Sequence, residues 1–354
     1  MKKQETWINV AKFAAILAVI VNHMHGALYT NTDIAWVTFY SVPLFIILSG
    51  NTFGIAAAHR QGRAGAVVKK QILSIVLAYA VANTIFFLVN FHMFHFYDWL
   101  NYLIHFNISG PLYYVALYVQ VMLAAPFLYL GCQKACAASH PLLRHLLNFG
   151  LLYLAAVFLN QHTNVLDIIL GGGILFGGSY LLLFYIGLLF FFYKERLQSG
   201  RSWLHLLISG AALCLWLVFL LHDKGTMEPL KSPNGAVNPP GVEIIVYAVL
   251  VAMTIFYAVA ILEKIQNRWV CGVLFVMAEL GKYSLYIFLY HMLISAYFLA
   301  RFEAMLTNIW GKRMLYLLCM VMMPVAMGIC LKKGKAFLLE AYRGSGKEAT
   351  DKQQ

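Results

Sequence analysis

Charge is the property that this sequence has least of. Only 11% of its 354 residues are charged, whereas an average soluble domain carries about a quarter. Acidic residues are the scarcest, with 14 Asp and Glu against 26 Lys and Arg, while 62% of the chain is hydrophobic. This composition excludes an ordinary soluble domain and indicates a protein that crosses a lipid bilayer several times.

The cysteines do not form a disulfide framework. All six fall within apolar segments or on the side predicted below to be cytoplasmic, where thiols stay reduced. Cys132 and Cys136 are followed by His140, but this spacing matches no strong zinc pattern, so no metal is expected. Because the chain also lacks a separate soluble catalytic domain, any chemistry must be performed by membrane helices and their loops.

Long apolar segments predict an all-α membrane bundle of about ten transmembrane helices. The predicted spans are 8–28, 36–56, 72–94, 110–131, 146–162, 174–193, 203–221, 242–262, 283–300 and 313–331. Segment 269–279 is too short to cross a bilayer and is predicted to be an interfacial helix. We expect one membrane domain over residues 1–335 and a partly disordered cytoplasmic tail over 336–354.

Basic residues predict the orientation. With ten spans, 20 of the 26 Lys and Arg lie on the side of both termini, five lie on the other side, and Lys12 lies inside the first span. Since basic loops stay in the cytoplasm, both termini are predicted to be cytoplasmic. The net charge of +12 therefore reflects membrane topology, and no nucleic-acid partner is expected.

The first span keeps three ionisable residues, Lys12, His23 and His25. Such groups are costly at bilayer depth and often mark function. Lys12 and His23 are eleven residues apart, so a helix places them on one stripe, separated by about 16 Å along its axis. On a regular helix His25 would point about 200° away from His23 and would not share its cavity. The stripe predicts a polar path through the membrane.

Several segments occur in the order of a known family. They are Lys12-x10-His23, residues 41–50 (SVPLFIILSG), the basic loop after them, residues 110–126 and residues 284–291 (SLYIFLYH). Together they resemble the integral-membrane acyltransferase-3 family. Many members carry arginine at the position of Lys12 and a His-x-Trp-Phe element where this chain reads GPLYY. The lysine is similar to a subgroup that acts on surface polysaccharides and small sugars.

The resemblance implies a bacterial O-acyltransferase, most simply an O-acetyltransferase, in the cytoplasmic membrane. It would move an acyl group from cytoplasmic acetyl-CoA to a hydroxyl of an extracytoplasmic glycan or lipid-linked sugar. His23 would act as general base or acyl carrier, because imidazole titrates near neutral pH. Lys12 would assist catalysis and attract the phosphates or thioester of the donor. The alternatives are a packing histidine and a lysine that extends to the headgroups.

Further residues are candidates for holding the donor. Ser49 and Gly50 would let a pantetheine arm pass, next to a kink expected at Pro43, or they would serve close helix packing. The cytoplasmic loop is a candidate dock for the 3′-phospho-ADP of coenzyme A. Its residues are Arg60, Arg63, Lys69 and Lys70. The same charges also suit a topology signal that contacts anionic lipids.

On the acceptor side, four residues are candidates for substrate binding: His25, Tyr113, Tyr114 and His291. Interfacial anchoring of the tyrosines and a structural hydrogen bond for His291 are the alternatives. A different function, a polysaccharide or sugar exporter without catalysis, also fits ten spans with internal polar residues. It would need a wide cavity without a basic pocket. A membrane assembly partner is a third, weaker hypothesis.

Overall fold

The computed structural model describes residues 6–26, 28–60, 63–170, 177–198, 200–223, 239–303 and 308–351, without the side chains of 161–170, 298–303 and 335–351. Its regular structure in these ranges is helical, with no β-strand. The chain divides into two compact units, Met1–Lys282 and Tyr283–Gln354. The division falls inside the single membrane domain that the sequence predicts.

Twelve described helices belong to the first unit. They are α1 (Thr6–His23), α2 (Thr32–Thr38), α3 (Ser41–His59), α4 (Ala64–Phe91), α5 (Phe96–His105), α6 (Tyr113–Cys136), α7 (Pro141–Leu170), α8 (Ser179–Phe192), α9 (Lys194–Gln198), α10 (Ser202–Asp223), α11 (Val242–Leu262) and α12 (Arg268–Gly281). The second unit contains α13 (Ser284–Glu303) and α14 (Ile309–Asp351).

The helices confirm a polytopic, all-α membrane protein. Within the described ranges, eight segments are long and apolar enough to span a bilayer, and a ninth results if α12 and α13 form one broken span. Helix α8 is apolar but has only 14 residues. Each of the ten predicted spans overlaps a described helix, but those at 174–193 and 283–300 do not overlap a single described helix of spanning length. Segment 269–279 is helical as well, within α12.

Helix α1 lies at the centre of the first unit, because α2, α3, α11 and α12 all pack against it. Its small and branched side chains Ala11, Ala15 and Ile16 are fully buried. Helix α3 in turn packs most extensively on α8. The helix that carries Lys12 and His23 is thus enclosed by protein rather than lipid over much of its surface.

Two glycines allow α3 and α8 to touch through their backbones. A Cβ atom on Gly50 would collide with the carbonyl oxygen of Phe184, and one on Gly187 would collide with that of Ile47. Only glycine fits at such an approach. The structure therefore shows that Gly50 serves close helix packing. Its second predicted role, holding the acyl donor, stays a prediction.

One local expectation is corrected. Helix α1 ends at His23, so His25 is not on the helix and the 200° argument does not apply to it. The kink expected near Pro43 is consistent with the structure. The span that contains Pro43 runs from Thr32 to His59, and its helix is interrupted between α2 and α3, shortly before the proline.

Two predicted segments extend beyond the described part of the chain. In the outer loop 222–241, residues 224–238 are not described. In the tail 336–354, α14 continues to Asp351 and residues 352–354 are not described. Partial disorder of the tail stays a prediction.

Candidate functional site

The end of α1 at His23 is held in place by hydrogen bonds from its neighbours. Asn22 donates from Nδ2 to Thr38 Oγ1 of α2 over 3.0 Å, and the Tyr29 hydroxyl donates to the Val21 carbonyl over 2.7 Å. Burial raises the pKa of Tyr29, so this hydroxyl stays protonated and can donate. His23 itself is half-buried and takes part in at least one polar, ring or electrostatic interaction. The imidazole is therefore presented from a fixed helix end.

His25 lies in the turn that follows α1. It is exposed, and its ring packs edge-on against Tyr29 with 5.4 Å between the ring centroids. Its predicted role in binding an acceptor stays a prediction, but it reaches solvent from a turn rather than from the helix stripe.

Lys12 is half-buried on α1 and takes part in at least one polar, ring or electrostatic interaction. Helix α1 packs against α3, the helix that carries Ser49. The structure thus places Lys12 and Ser49 on neighbouring helices, and their shared role in holding the donor stays a prediction.

Ser49 belongs to a polar cluster in the interior. Its Oγ donates to the Phe45 carbonyl over 2.7 Å. It also forms a hydrogen bond with Tyr114, and because a hydroxyl has one hydrogen, Tyr114 is the donor. One turn further along α6, the Tyr118 hydroxyl donates to Gln71 Oε1 of α4 over 3.2 Å. We call Ser49, Tyr114, Tyr118 and Gln71 the Ser49 cluster.

The Ser49 cluster contains one residue predicted to bind the acyl donor and one predicted to bind the acceptor. Ser49 was predicted on the donor side and Tyr114 on the acceptor side, yet they share a hydrogen bond. Tyr113 is half-buried and close enough to Tyr114 and to Tyr180 of α8 to interact electrostatically. The two predicted subsites therefore meet at α6.

The predicted basic dock surrounds the start of α4. Arg60 donates from Nη1 to the Ala66 carbonyl over 2.7 Å and thereby ties the α3–α4 turn together. Arg63 immediately precedes α4, and Lys69 and Lys70 lie in its first two turns; all three are exposed. Three cations beside the amino end of a helix form a surface suited to a phosphate. Arg60 differs from these three residues, because its guanidinium already donates to the Ala66 carbonyl.

His291 lies on α13 in the second unit and is fully buried. Its Nδ1 atom is 2.8 Å from the Phe288 carbonyl and 3.1 Å from the Ile287 carbonyl. Since carbonyls only accept, Nδ1 carries a hydrogen, and in the neutral ring Nε2 is the nitrogen that accepts. His291 therefore forms a structural hydrogen bond to its own helix, which was the alternative to a role in substrate binding.

The sequence of the chain was also compared with known proteins. A family model described as an acyltransferase domain, Acyl_transf_3, matches residues 5–332. The chain belongs to this family. The matched range contains every predicted site residue, and the resemblance drawn from the motifs is confirmed. No curated protein and no solved structure matches the chain.

This membrane acyltransferase also contains a group of residues that the sequence did not bring together. Cys136 was considered with His140, but His140 is exposed, and the histidine beside Cys136 is His145. Tyr185 and Tyr193 bind the same imidazole. The sequence contains only a weak signal for this group, because its members come from α6, α7 and α8. No spacing within a single segment connects them.

Proposed function

We propose that this acyltransferase transfers an acetyl group from acetyl-CoA to a hydroxyl of an extracytoplasmic glycan or lipid-linked sugar. The observation that carries the proposal is the arrangement along α1. His23 is the last residue of the helix, Lys12 lies eleven residues earlier on the same stripe, and α1 packs against α3, which carries Ser49. A bacterial cytoplasmic membrane with both termini inside is part of the proposal, supported by the distribution of Lys and Arg.

The length of the stripe suits the donor. Lys12 and His23 are separated by about 16 Å along the helix. The pantetheine arm of coenzyme A has about as many backbone bonds as four residues, so it extends to about 14 Å. In the proposed complex the Lys12 ammonium attracts the diphosphate, the arm passes the Ser49 cluster, and the thioester reaches His23. The exposed Arg63, Lys69 and Lys70 then face the 3′-phospho-ADP.

The chemistry requires one proton to move. His23 takes the proton of the acceptor hydroxyl, whose oxygen attacks the thioester carbonyl carbon. The carbon–sulfur bond breaks, and the proton passes from the imidazole to the sulfur of coenzyme A, which leaves as a thiol. In the alternative mechanism His23 carries the acyl group before the acceptor binds. Tyr113, Tyr114 and His25 remain proposed acceptor-binding residues of the first unit. The acceptor-binding role proposed for His291 concerns the second unit.

No observation favours the exporter hypothesis. A cavity of about 350 Å³ lies between α7, α8 and α11, and its lining includes Phe149, Leu182 and Ile245. This apolar lining offers a sugar chain few hydrogen-bond partners, and the family is one of acyltransferases.

The proposal is tested with inverted membrane vesicles that present the cytoplasmic face to acetyl-CoA labelled in its acetyl group. We expect label on the glycan with the wild type and a loss of about 10²-fold or more with His23→Gln, because the general base is missing. His140→Gln at matched expression is the control, because His140 is exposed and lies outside the proposed site. Equal labelling by wild type and His23→Gln would remove His23 from the chemistry.

A further inference from the structure

A second group of reactive side chains lies where α6, α7 and α8 meet, on the side predicted to be cytoplasmic. We call it the Cys136 cluster, and its members are Cys132, Cys136, His145, Asn148, Tyr185 and Tyr193. None of them belongs to the site proposed above. Cys132, His145 and Tyr185 are buried, whereas Cys136, the last residue of α6, is half-buried.

The imidazole of His145 is held from both sides. Its Nδ1 atom is 2.8 Å from the Tyr185 hydroxyl, and its Nε2 atom is 2.9 Å from the Tyr193 hydroxyl. The Cys136 sulfur lies 3.7 Å from the same Nε2. A nucleophile, a base and a third group that orients the base are therefore in contact, which is the general arrangement of an activated nucleophile.

Asn148 Nδ2 donates to the Tyr185 hydroxyl over 2.8 Å. In the tautomer of His145 with its hydrogen on Nδ1, the imidazole donates to the Tyr185 oxygen, and Nε2 is the acceptor that the Cys136 thiol and the Tyr193 hydroxyl both face. This is the tautomer in which Nε2 can take the Cys136 proton.

Two further donors lie near the Cys136 sulfur. Cys132 lies one turn earlier on α6, and the Tyr193 hydroxyl lies beside the same His145 nitrogen. A thiol and a phenol can each donate a hydrogen bond to a sulfur anion that forms at Cys136 during a reaction. The described residues include no group of three or more His, Cys, Asp and Glu placed to hold a metal ion. The arrangement therefore suits nucleophilic chemistry better than metal binding.

Cations surround the exposed side of the cluster. Lys134 lies in the last turn of α6, Arg144 directly precedes His145, and the Arg196 guanidinium is 5.4 Å from the ring centre of Tyr193. All three side chains are exposed. They can attract an anionic molecule that reaches the membrane surface beside Cys136.

We propose that Cys136 is an S-acylation site that receives an acyl group from an acyl-CoA thioester, with His145 as its base. The Cys136 sulfur gives its proton to His145 Nε2 and attacks the thioester carbonyl carbon. A new carbon–sulfur bond forms to Cys136, the bond to coenzyme A breaks, and the proton passes to the departing sulfur. The exchange of one thioester for another needs no oxidant and does not involve Lys12 or His23.

The test uses the purified full-length protein in nanodiscs, incubated separately with labelled acetyl-CoA and labelled palmitoyl-CoA. We expect label that neutral hydroxylamine removes, located on the Cys136 peptide by mass spectrometry. Cys136→Ser should abolish it, whereas Cys132→Ser, one turn earlier, should retain it within about threefold because serine can still donate to Cys136. His145→Gln should slow labelling by about 10²-fold or more. The better donor identifies the acyl class.

Alkylation by iodoacetamide at neutral pH checks the activation without any acyl donor. The exposed Cys271 of α12 serves as the internal reference in each sample. The ratio of Cys136 to Cys271 alkylation should fall at least tenfold, judged by the role of thiolate in reactivity, in His145→Gln. An unchanged ratio, or acyl label spread over several cysteines, would overturn the proposal. Failure of the acetyl-transfer proposal is separate, because His23→Gln should leave the Cys136 label intact.

Discussion

The α1 stripe and the Cys136 cluster use ionisable residues in opposite ways. The stripe spreads Lys12 and His23 over about 16 Å of one helix, which suits a long ligand that touches several depths of the membrane. The Cys136 cluster gathers the side chains of three helices around one imidazole, which suits the activation of a single atom. Separation along a helix serves binding and delivery, whereas convergence of helices serves local reactivity.

Exchanging the two histidines separately gives the largest expected effects and tests whether the regions are independent. His23→Gln should reduce acetyl transfer to the glycan by about 10²-fold or more and leave Cys136 labelling unchanged, and His145→Gln should reduce only the labelling. Both products are measured in the same vesicles. Parallel loss of both products in either variant, with normal expression, would show that the regions act as one site.

Changing Lys12 tests whether the stripe binds the donor electrostatically. Lys12→Met should raise the KM for acetyl-CoA by about 10- to 100-fold, since a charge-assisted contact contributes about 1.5–3 kcal/mol. Lys12→Arg keeps the positive charge and is the matched control. Titration of acetyl-CoA in the vesicle assay gives KM and kcat. If Lys12→Met changes neither constant, the lysine extends to the headgroups instead of contacting the donor.

The crossing of α3 and α8 links the two regions, because α3 carries Ser49 and α8 carries Tyr185. Gly50→Ala forces a methyl group against the Phe184 carbonyl and should destabilise the protein by about 1–3 kcal/mol. Gly210→Ala in α10 is the control, because a Cβ there meets nothing within 4 Å. Thermal unfolding in detergent compares them. A Gly50→Ala protein as stable as Gly210→Ala would contradict the backbone contact.

The smallest effects should come from single hydroxyls. Tyr114→Phe removes the hydrogen bond to Ser49 and should cost about 1 kcal/mol of stability, with a modest change in acetyl transfer. Tyr185→Phe is the corresponding change in the Cys136 cluster and should slow only Cys136 labelling. Stability and both products are measured for each variant. Equal effects on both products would show that the hydroxyls act through general packing.

Prediction from the sequence was most successful where the information is local. Hydropathy located the apolar helices, of which eight described segments, or nine with one broken pair, are long enough to span a bilayer. The eleven-residue spacing placed Lys12 and His23 on one face of a helix that the structure shows to be continuous. Prediction was wrong at the end of α1, which stops at His23 before the predicted end of the span at residue 28. Ends depend on contacts such as that of Asn22 with Thr38, which the pattern of apolar residues does not encode.

The sequence by itself determined that the chain is a polytopic helical membrane protein, and its motifs correctly indicated the acyltransferase family. Both follow from composition and order along the chain. Only the tertiary structure decided that Ser49 bonds Tyr114, that Gly50 packs on α8, and that His145 rather than His140 meets Cys136. The physical reason is that hydrogen bonds and close helix contacts depend on which faces of different helices meet, and spacing within one helix does not specify that pairing.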